Sequence, residues 1–454
     1  MDFVTVLVTD VLVRPEILVG IFALIGLLLQ RKPFTEVFSG TVKTVVGLLI
    51  FLIGADTAVG TLEAFQALFI AGFNVDGVLP FAEGVVGIAL EKYGSPIASV
   101  MMIGLITNII FARLTPMKYV FLAGQHSLFF ATMLTLALQA SGVSAFTTIA
   151  VGGVVLGFFS TYFPWLARHA MQRITGHNDF GLAQFDALGY TLSSWIGKHV
   201  GNPEESTEKI KLPKSLSFFR DYVSAIAVTM IVFFYIAAFA AGPQVAREVA
   251  GDINWLLFPF LQALIFSAAV FILINGVEML LGAIVPAFKG ISDKLVPGVR
   301  PALDSPAVFP FAPTAVILGF LVSYFMGLVM MGVWIATGQT VIIPVALPYF
   351  FIGGTAGVFG NATGGWKGAA AGSAVIGVLI SIAPQMLYPI MVENDLAGTA
   401  LLDTDFAAVS WPLHKLFELG TTVGTAVTVL VLAAITAGVF LVKRREQRRT
   451  KAAV

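Results

Sequence analysis

No cysteine occurs anywhere in this 454-residue chain, which excludes disulfides, thiolate metal sites and a cysteine nucleophile of its own. Charge is scarce as well. Asp, Glu, Lys and Arg together make up 11% of the residues, and acids and bases balance at 26 each, so the basic excess that nucleic-acid binding needs is missing. Histidines do not cluster, and no carboxylates stand at metal-ligand spacing. The glycine-rich "GGTAGVFGNATGGWKGAA" (353–370) carries Trp-Lys-Gly where a phosphate loop needs Gly-Lys-Ser or Gly-Lys-Thr, and reads as a tight turn. No small-residue cleavage site closes the first apolar run, and the first basic pair, Arg31 and Lys32, follows that run. It is therefore read as a retained membrane helix rather than a leader.

What the chain has is apolar surface. Its composition is 57% apolar and its mean hydropathy is +0.92, against about 45–50% apolar and 25% charged for soluble domains. A helix needs roughly 20 apolar residues to cross a bilayer. Such runs fall near 13–30, 43–59, 95–112, 117–139, 143–163, 222–242, 255–284, 312–335, 341–358, 370–391 and 421–442. The pattern predicts an all-α polytopic membrane protein of about eleven transmembrane helices. The short alternation of a β-barrel is absent from runs such as "VTVLVLAAITAGVFLV" (427–442).

Lys and Arg alternate between the gaps. Rich gaps carry Arg31, Lys32 and Lys43; Arg113 and Lys118; the basic residues from Arg168 to Arg220; Lys289, Lys294 and Arg300; Lys367; and the tail "KRREQRRTK". Poor gaps hold Lys92, Arg247 and Lys415, with Glu83, Glu91, Glu248, Asp252, Glu393, Asp395, Asp403 and Asp405. Because cytoplasmic loops keep the positive charge, an outside N-terminus and an inside C-terminus are expected.

Two stretches repeat. "GVLPFAE" (77–83) and "GVRPALD" (298–304) share Gly-Val-x-Pro and a closing carboxylate, and "GADTAVG" (54–60) and "GVEMLLG" (276–282) share paired glycines around an acid at nearly the same offset. With the charge pattern, this predicts two inverted five-span repeats plus a final helix, the usual construction of alternating-access transporters. Residues 1–163 form the first repeat and 164–221 a cytoplasmic loop with an amphipathic segment. Residues 222–391 form the second repeat, and 392–454 an extracellular loop, the last transmembrane helix and a basic tail. Prolines 80, 301, 306, 310 and 313 resist continuous helix, so 77–90 and 298–313 are read as opposed re-entrant hairpins. Glu83 and Asp304 then stand at their tips. Each either caps its hairpin helix or contacts a polyhydroxylated ligand, and the two roles are compatible. Asp56 and Glu278 are expected to hydrogen-bond between closely packed helices.

Polar side chains interrupt the apolar sequence at two further places. "LAGQHSLFF" (122–130) offers Gln125 and His126, which exchange hydrogen bonds with hydroxyls without a fixed charge or bond a neighbouring broken helix. "HNDFGLAQFDALGYTLSSWI" (177–196) is amphipathic, either interfacial or tucked into the bundle, with Gln184 and Tyr190 its better ligand candidates. His177 and His199 are expected at the solvent.

"SGTVKTVVGLLIFLIG" (39–54), "EESTEKIKLPKSLSFFRDYV" (204–223), "FILINGVEMLLGAIVPAFKGISDKLVPG" (271–298), "ALDSPAVFPFAPTAVILGF" (302–320) and "GVFGNATGGWKGA" (357–369) carry a resemblance that runs in order along nearly the whole chain. They are similar to the ascorbate-specific IIC component of the bacterial phosphoenolpyruvate-dependent sugar phosphotransferase system. The resemblance implies an eleven-span homodimer with a core domain that bears substrate and a scaffold domain that carries the dimer contact, moving in an elevator manner. It places L-ascorbate, or a related sugar acid, on Ala82, Glu83, Gln125, Phe129, Gln184 and Asp304; His126 and Tyr190 stand as secondary candidates on the reading of the polar stretches alone. The chain departs from the family in having Gln125 and Gln184 in place of histidines and Phe129 in place of a glutamine. No cofactor is implied. A separate IIB protein, phosphorylated on its own cysteine and supplied by IIA, is expected to phosphorylate the substrate, because this chain holds no phosphoryl acceptor suited to the relay. The basic and acidic loop 164–220 is a candidate IIB surface or merely a solvated face. The alternative is a proton- or sodium-coupled secondary transporter with Glu83 and Asp304 as coupling carboxylates.

Overall fold

A computed structural model describes residues 15–74, 77–209 and 222–452. Lys211, Lys214 and Arg220 of the expected cytoplasmic loop lie outside the described residues. The apolar runs are helical because a backbone in hydrocarbon must satisfy its N–H and C=O groups internally. Among the described residues seven runs are long and apolar enough to cross a membrane: Phe34–Phe73, Ala82–Leu114, Ala145–Thr175, Ile226–Ala250, Pro313–Thr337, Tyr349–Glu393 and Thr421–Arg448. The chain is a mostly helical, multi-pass membrane protein.

In chain order the elements are α1 (Pro15–Leu29), α2 (Phe34–Phe73), β1 (Gly77–Pro80), α3 (Ala82–Leu114), β2 (Tyr119–Phe121), α4 (Gly124–Ala140), α5 (Ala145–Thr175), β3 (Gly181–Leu182) and α6 (Ala187–Val200). After the loop come α7 (Tyr222–Ala250), α8 (Phe258–Leu295), β4 (Arg300–Leu303) and a 3-10 helix, Ser305–Phe311. The chain continues through α9 (Pro313–Thr337), β5 (Val341–Ile342), a π-helical turn Tyr349–Gly353 that enters α10 (Gly354–Glu393), β6 (Thr399–Ala400), α11 (Thr404–Glu418) and α12 (Thr421–Ala452).

Two packed sets emerge. In one, α1, α2, α7 and α8 lie on one another, with α2 against α8 the broadest contact. In the other, α3 packs on α5, and α10 packs on both α6 and α9. The α2–α8 contact is close because Gly276 lies on the α2 backbone, where an added Cβ would come within 2.5 Å of Phe51 N. Asp56 and Glu278 do not work as the expected bridges; both are exposed. Each stands two residues from a buried glycine, about 200° around a helix with 3.6 residues per turn, and so faces away from the contact.

Three segments differ from the sequence expectation. The expected spans 341–358 and 370–391 share one helical run, interrupted at Gly365 (φ 59°, ψ −151°). "GVFGNATGGWKGA" is helical apart from that break, which a side chain would resist. The hairpin expected over 77–90 has an extended leg, β1, and a helical leg that continues to Leu114 past a non-helical Tyr93. The second, 298–313, is β4 followed by the 3-10 helix.

The six short strands form two parallel sheets, ordered β5-β1-β6 and β2-β4-β3. In the first, Gly77 pairs with Val341 and Leu79 with Thr399; in the second, Arg300 pairs with Tyr119 and Ala302 with Gly181. Each proline-bearing strand is thus central, flanked by strands from the other half of the chain. These pairings satisfy the backbone of segments that cannot be helical.

Candidate functional site

Parallel strands present their C-terminal ends together. Just beyond β2 lie Gln125 and His126, beyond β4 lies Asp304, and beyond β3 lie Gln184 and Asp186. The other sheet delivers Ala82 and Glu83 after β1, and Asp403 and Asp405 after β6. The two sheets meet at these ends. Thr404 donates its N–H to Asp186 Oδ1 at 2.7 Å and its hydroxyl to the same oxygen at 3.0 Å. In return Asp405 accepts from Ala187 N at 2.8 Å and Leu188 N at 3.2 Å. Glu83, half-buried in the first turn of α3, is within electrostatic reach of His126.

Asp304 is the most heavily bonded member. Gln125 Nε2 donates to its Oδ2 at 2.8 Å, His126 Nε2 meets its Oδ1 at 3.0 Å, and Ser305 N donates to Oδ1 at 2.6 Å, capping the 3-10 helix. Capping and side-chain recognition therefore coexist in one carboxylate. Two oxygens hold roughly four lone-pair positions, and 31% of the Asp304 side chain remains exposed, so Oδ2 keeps room for a further donor.

Some polar atoms of the site have no partner. His126 Nδ1 and Gln184 Oε1 are buried without a hydrogen bond, and the Asp186 carboxyl lies beside that of Asp403. Gln184 is only 1% exposed. Its neighbours are fixed on both sides, Ala183 N to Leu303 O at 2.7 Å and Phe185 O by Asp405 N at 3.0 Å. The Phe185 ring packs 4.5 Å from Phe130 and 4.7 Å from Phe121. Gln184 cannot easily turn its amide away, and a buried unmet polar group costs about 1–3 kcal/mol.

Helix N-termini add donors. Both α3, whose cap position is Phe81, and α4, whose cap position is Ala123, lack a side-chain cap. The first intrahelical bonds at these ends are made by Val85 N and Ser127 N, which leaves earlier N–H groups at Ala82 and Gly84 and at Gly124 through His126 without intrahelical acceptors. Two such ends beside one cluster of polar side chains favour an anionic ligand.

The sequence-predicted residues have definite places. Gln125, His126 and Asp304 are in direct contact, and Phe129 is buried one turn along α4 with its ring 6.0 Å from His126. Ala82 and Glu83 open α3 opposite them. Gln184 enters from β3, so the amphipathic segment is tucked into the bundle. Tyr190 stands deeper, 5.3 Å from Phe359. His177 and His199 are exposed, as expected. Strand register shifts the motif equivalence by two residues: Gly77 corresponds to Arg300 and Phe81 to Asp304, so Glu83 lies inside its helix while Asp304 caps its own. Asp186, Asp403 and Asp405 were missed. An aspartate just before a helical run is an N-cap signal, and "FDALGY" and "LDTDFA" both carry it.

Residues 10–412 match the family described as "PTS system sugar-specific permease component". Over 446 residues the chain is 27% identical to the "Ascorbate-specific PTS system EIIC component" of Mycoplasma pneumoniae (strain ATCC 29342 / M129 / Subtype 1), a match covering 86% of this chain and 67% of that protein.

Proposed function

The chain belongs to the PTS system sugar-specific permease component family, and from that premise we propose that it is a IIC subunit carrying L-ascorbate, or a closely related sugar acid, into the cell. The observation that carries the substrate class is the pair of uncapped helix N-termini, α3 and α4, beside Asp304 and the orphaned Gln184 Oε1. An acidic enediol suits this set. Its anionic oxygen takes the N–H groups around Ala82 and Gln125, its hydroxyls donate to Asp304 Oδ2 and Gln184 Oε1, and His126 Nδ1 serves as donor or acceptor. Phe129 supplies an apolar wall. The ascorbate-specific name of the Mycoplasma pneumoniae relative supports the same choice.

The interleaved sheets support a reading of the chain as two inverted repeats within eleven spans, N-terminus outside and C-terminus inside. The set built from α3 to α6 and α9 to α11 serves as the substrate-bearing core. The set of α1, α2, α7 and α8 serves as the scaffold and dimer contact of a homodimer, past which the core slides. A separate IIB protein, charged by IIA, then transfers its phosphoryl group from a cysteine sulfur to a substrate hydroxyl, whose proton leaves to solvent or to a base of IIB. The added charge traps the product inside.

Calorimetric titration of the purified protein with L-ascorbate, pentitols and hexitols tests the reading. Ascorbate is expected to bind and the neutral polyols are not. Binding of a polyol with no heat from ascorbate overturns the assignment.

A further inference from the structure

Helix α9 begins with Pro313, which has no N–H, and its cap position, Ala312, has no side-chain acceptor. The donors left open are therefore Thr314 N and Ala315 N, since Val316 N already bonds Ala312 O. Both are met by one atom from 106 or 107 residues earlier: Glu208 Oε1 accepts from Thr314 N at 2.9 Å and from Ala315 N at 3.2 Å. Thr207 steadies that oxygen through its hydroxyl at 3.2 Å.

The segment that presents Glu208 is itself anchored. Thr207 is fully buried, and its N–H donates to Asn361 Oδ1 at 2.9 Å. Trp366 N, just after the break at Gly365, donates to Glu205 O at 2.9 Å. The loop 202–209 thus supplies acceptors to two interruptions at once, the start of α9 and the break in α10, while Glu204, Glu205 and Glu208 stay exposed to solvent. Only the 3-10 helix Ser305–Phe311 and Ala312 separate α9 from Asp304, which caps that 3-10 helix.

We propose that Glu208 is a positioning residue of the substrate site: from the exposed loop it fixes the start of α9, and through the 3-10 helix it seats Asp304. The carboxylate satisfies the helix N-terminus and complements its dipole. This inference rests on the reading of Asp304 as a substrate ligand, and its test has one arm that does not.

That arm is hydrogen exchange of the ligand-free protein. In Glu208→Ala, amides in a peptide spanning 312–318 are expected to exchange roughly three- to thirty-fold faster, the factor that corresponds to losing a helix cap, with peptides of α2 and α8 unchanged. Glu208→Gln keeps an acceptor oxygen and stays within about two-fold of the parent. In the second arm, calorimetry with L-ascorbate, Glu208→Ala weakens binding about five-fold, Glu208→Gln restores it, and Glu208→Ala adds little in an Asp304→Asn background because both act through one contact. Unchanged exchange over 312–318 overturns the clasp. Faster exchange with parental affinity, or effects of the two substitutions that multiply, overturns the link to Asp304. Failure of the parent to bind ascorbate counts against the substrate reading and leaves the exchange arm to decide the clasp.

Discussion

Asp186 accepts the backbone N–H of Thr404 at 2.7 Å, joining the start of α11 to the start of α6. The return bond runs from Ala187 N to Asp405 Oδ2 at 2.8 Å. Each helix N-terminus is met by a carboxylate from the start of the other, Asp186 just before α6 and Asp405 in the first turn of α11, a reciprocal clamp between residues 218 apart in sequence. By charge pattern, one of these segments belongs to an inside gap and the other to an outside gap. On the proposed topology, direct hydrogen bonds between them fit two segments that both reach toward the middle of the membrane, where a helix end must find its acceptors within the protein.

The clamp is therefore expected to be stability-bearing. Removing either buried acceptor leaves donors unmet at about 1–3 kcal/mol each: Ala187 N and Leu188 N for Asp405, and Thr404 N and its hydroxyl for Asp186. Asp405→Ala and Asp186→Ala should each lower the thermal unfolding midpoint of detergent-purified protein. The double variant should lose less than the two combined, since either substitution opens the same clamp. Full additivity, or parental midpoints, would show the carboxylates to be independent or idle.

Gln184 predicts the opposite balance. Its buried Oε1 has no partner, so exchange for the similarly sized Met removes an unmet acceptor and should leave stability unchanged or slightly higher. Ligand affinity should fall by about ten-fold, a single hydrogen bond's worth. Unfolding curves and L-ascorbate titration on the same preparation check both halves. A destabilised Gln184→Met protein with parental affinity would assign Gln184 to packing.

Much of this was legible in sequence, and the rest was not for a physical reason. Long apolar runs announce helices because the bilayer permits little else, and Pro80 and Pro301 announced the extended segments because proline cannot continue a helix. Gln125, His126 and Asp304 were legible as polar side chains in apolar surroundings. Their mutual bonds were not, because those bonds join residues 178 or 179 apart through strand pairings only two or three residues long. Asp403 and Asp405 looked like ordinary loop acids. Their exposure of only 5% and 0% depends on Asp186, and sequence spacing alone gives no measure of that partnership. The break at Gly365 was hidden for a similar reason, since its place is set by a loop more than 150 residues earlier.

Topology can be probed simply because the chain has no cysteine of its own. Single cysteines at His199 and at Arg448 are expected to react with an impermeant maleimide only after the membrane is opened. One at Asp395, an exposed residue before β6, should react in intact cells. Reaction of His199→Cys and Arg448→Cys from opposite sides would break the alternating Lys and Arg argument for an inside loop and an inside tail.

Asp304→Asn examines the site most directly. The amide keeps the shape of the carboxylate but turns one acceptor into a donor. Gln125 can answer by turning its own amide, and His126 by moving its proton, so the hairpin is expected to fold around the substitution and Ser305 N to keep an oxygen. A substrate hydroxyl has no such freedom once its other contacts are fixed. With one charge-assisted bond of about 1.5–3 kcal/mol at stake, the dissociation constant for L-ascorbate should rise roughly ten- to hundred-fold. Thermal unfolding should change little. Unchanged affinity on a well-folded Asp304→Asn protein would confine the aspartate to capping Ser305 and holding Gln125 and His126, and would move substrate recognition to the N-termini of α3 and α4.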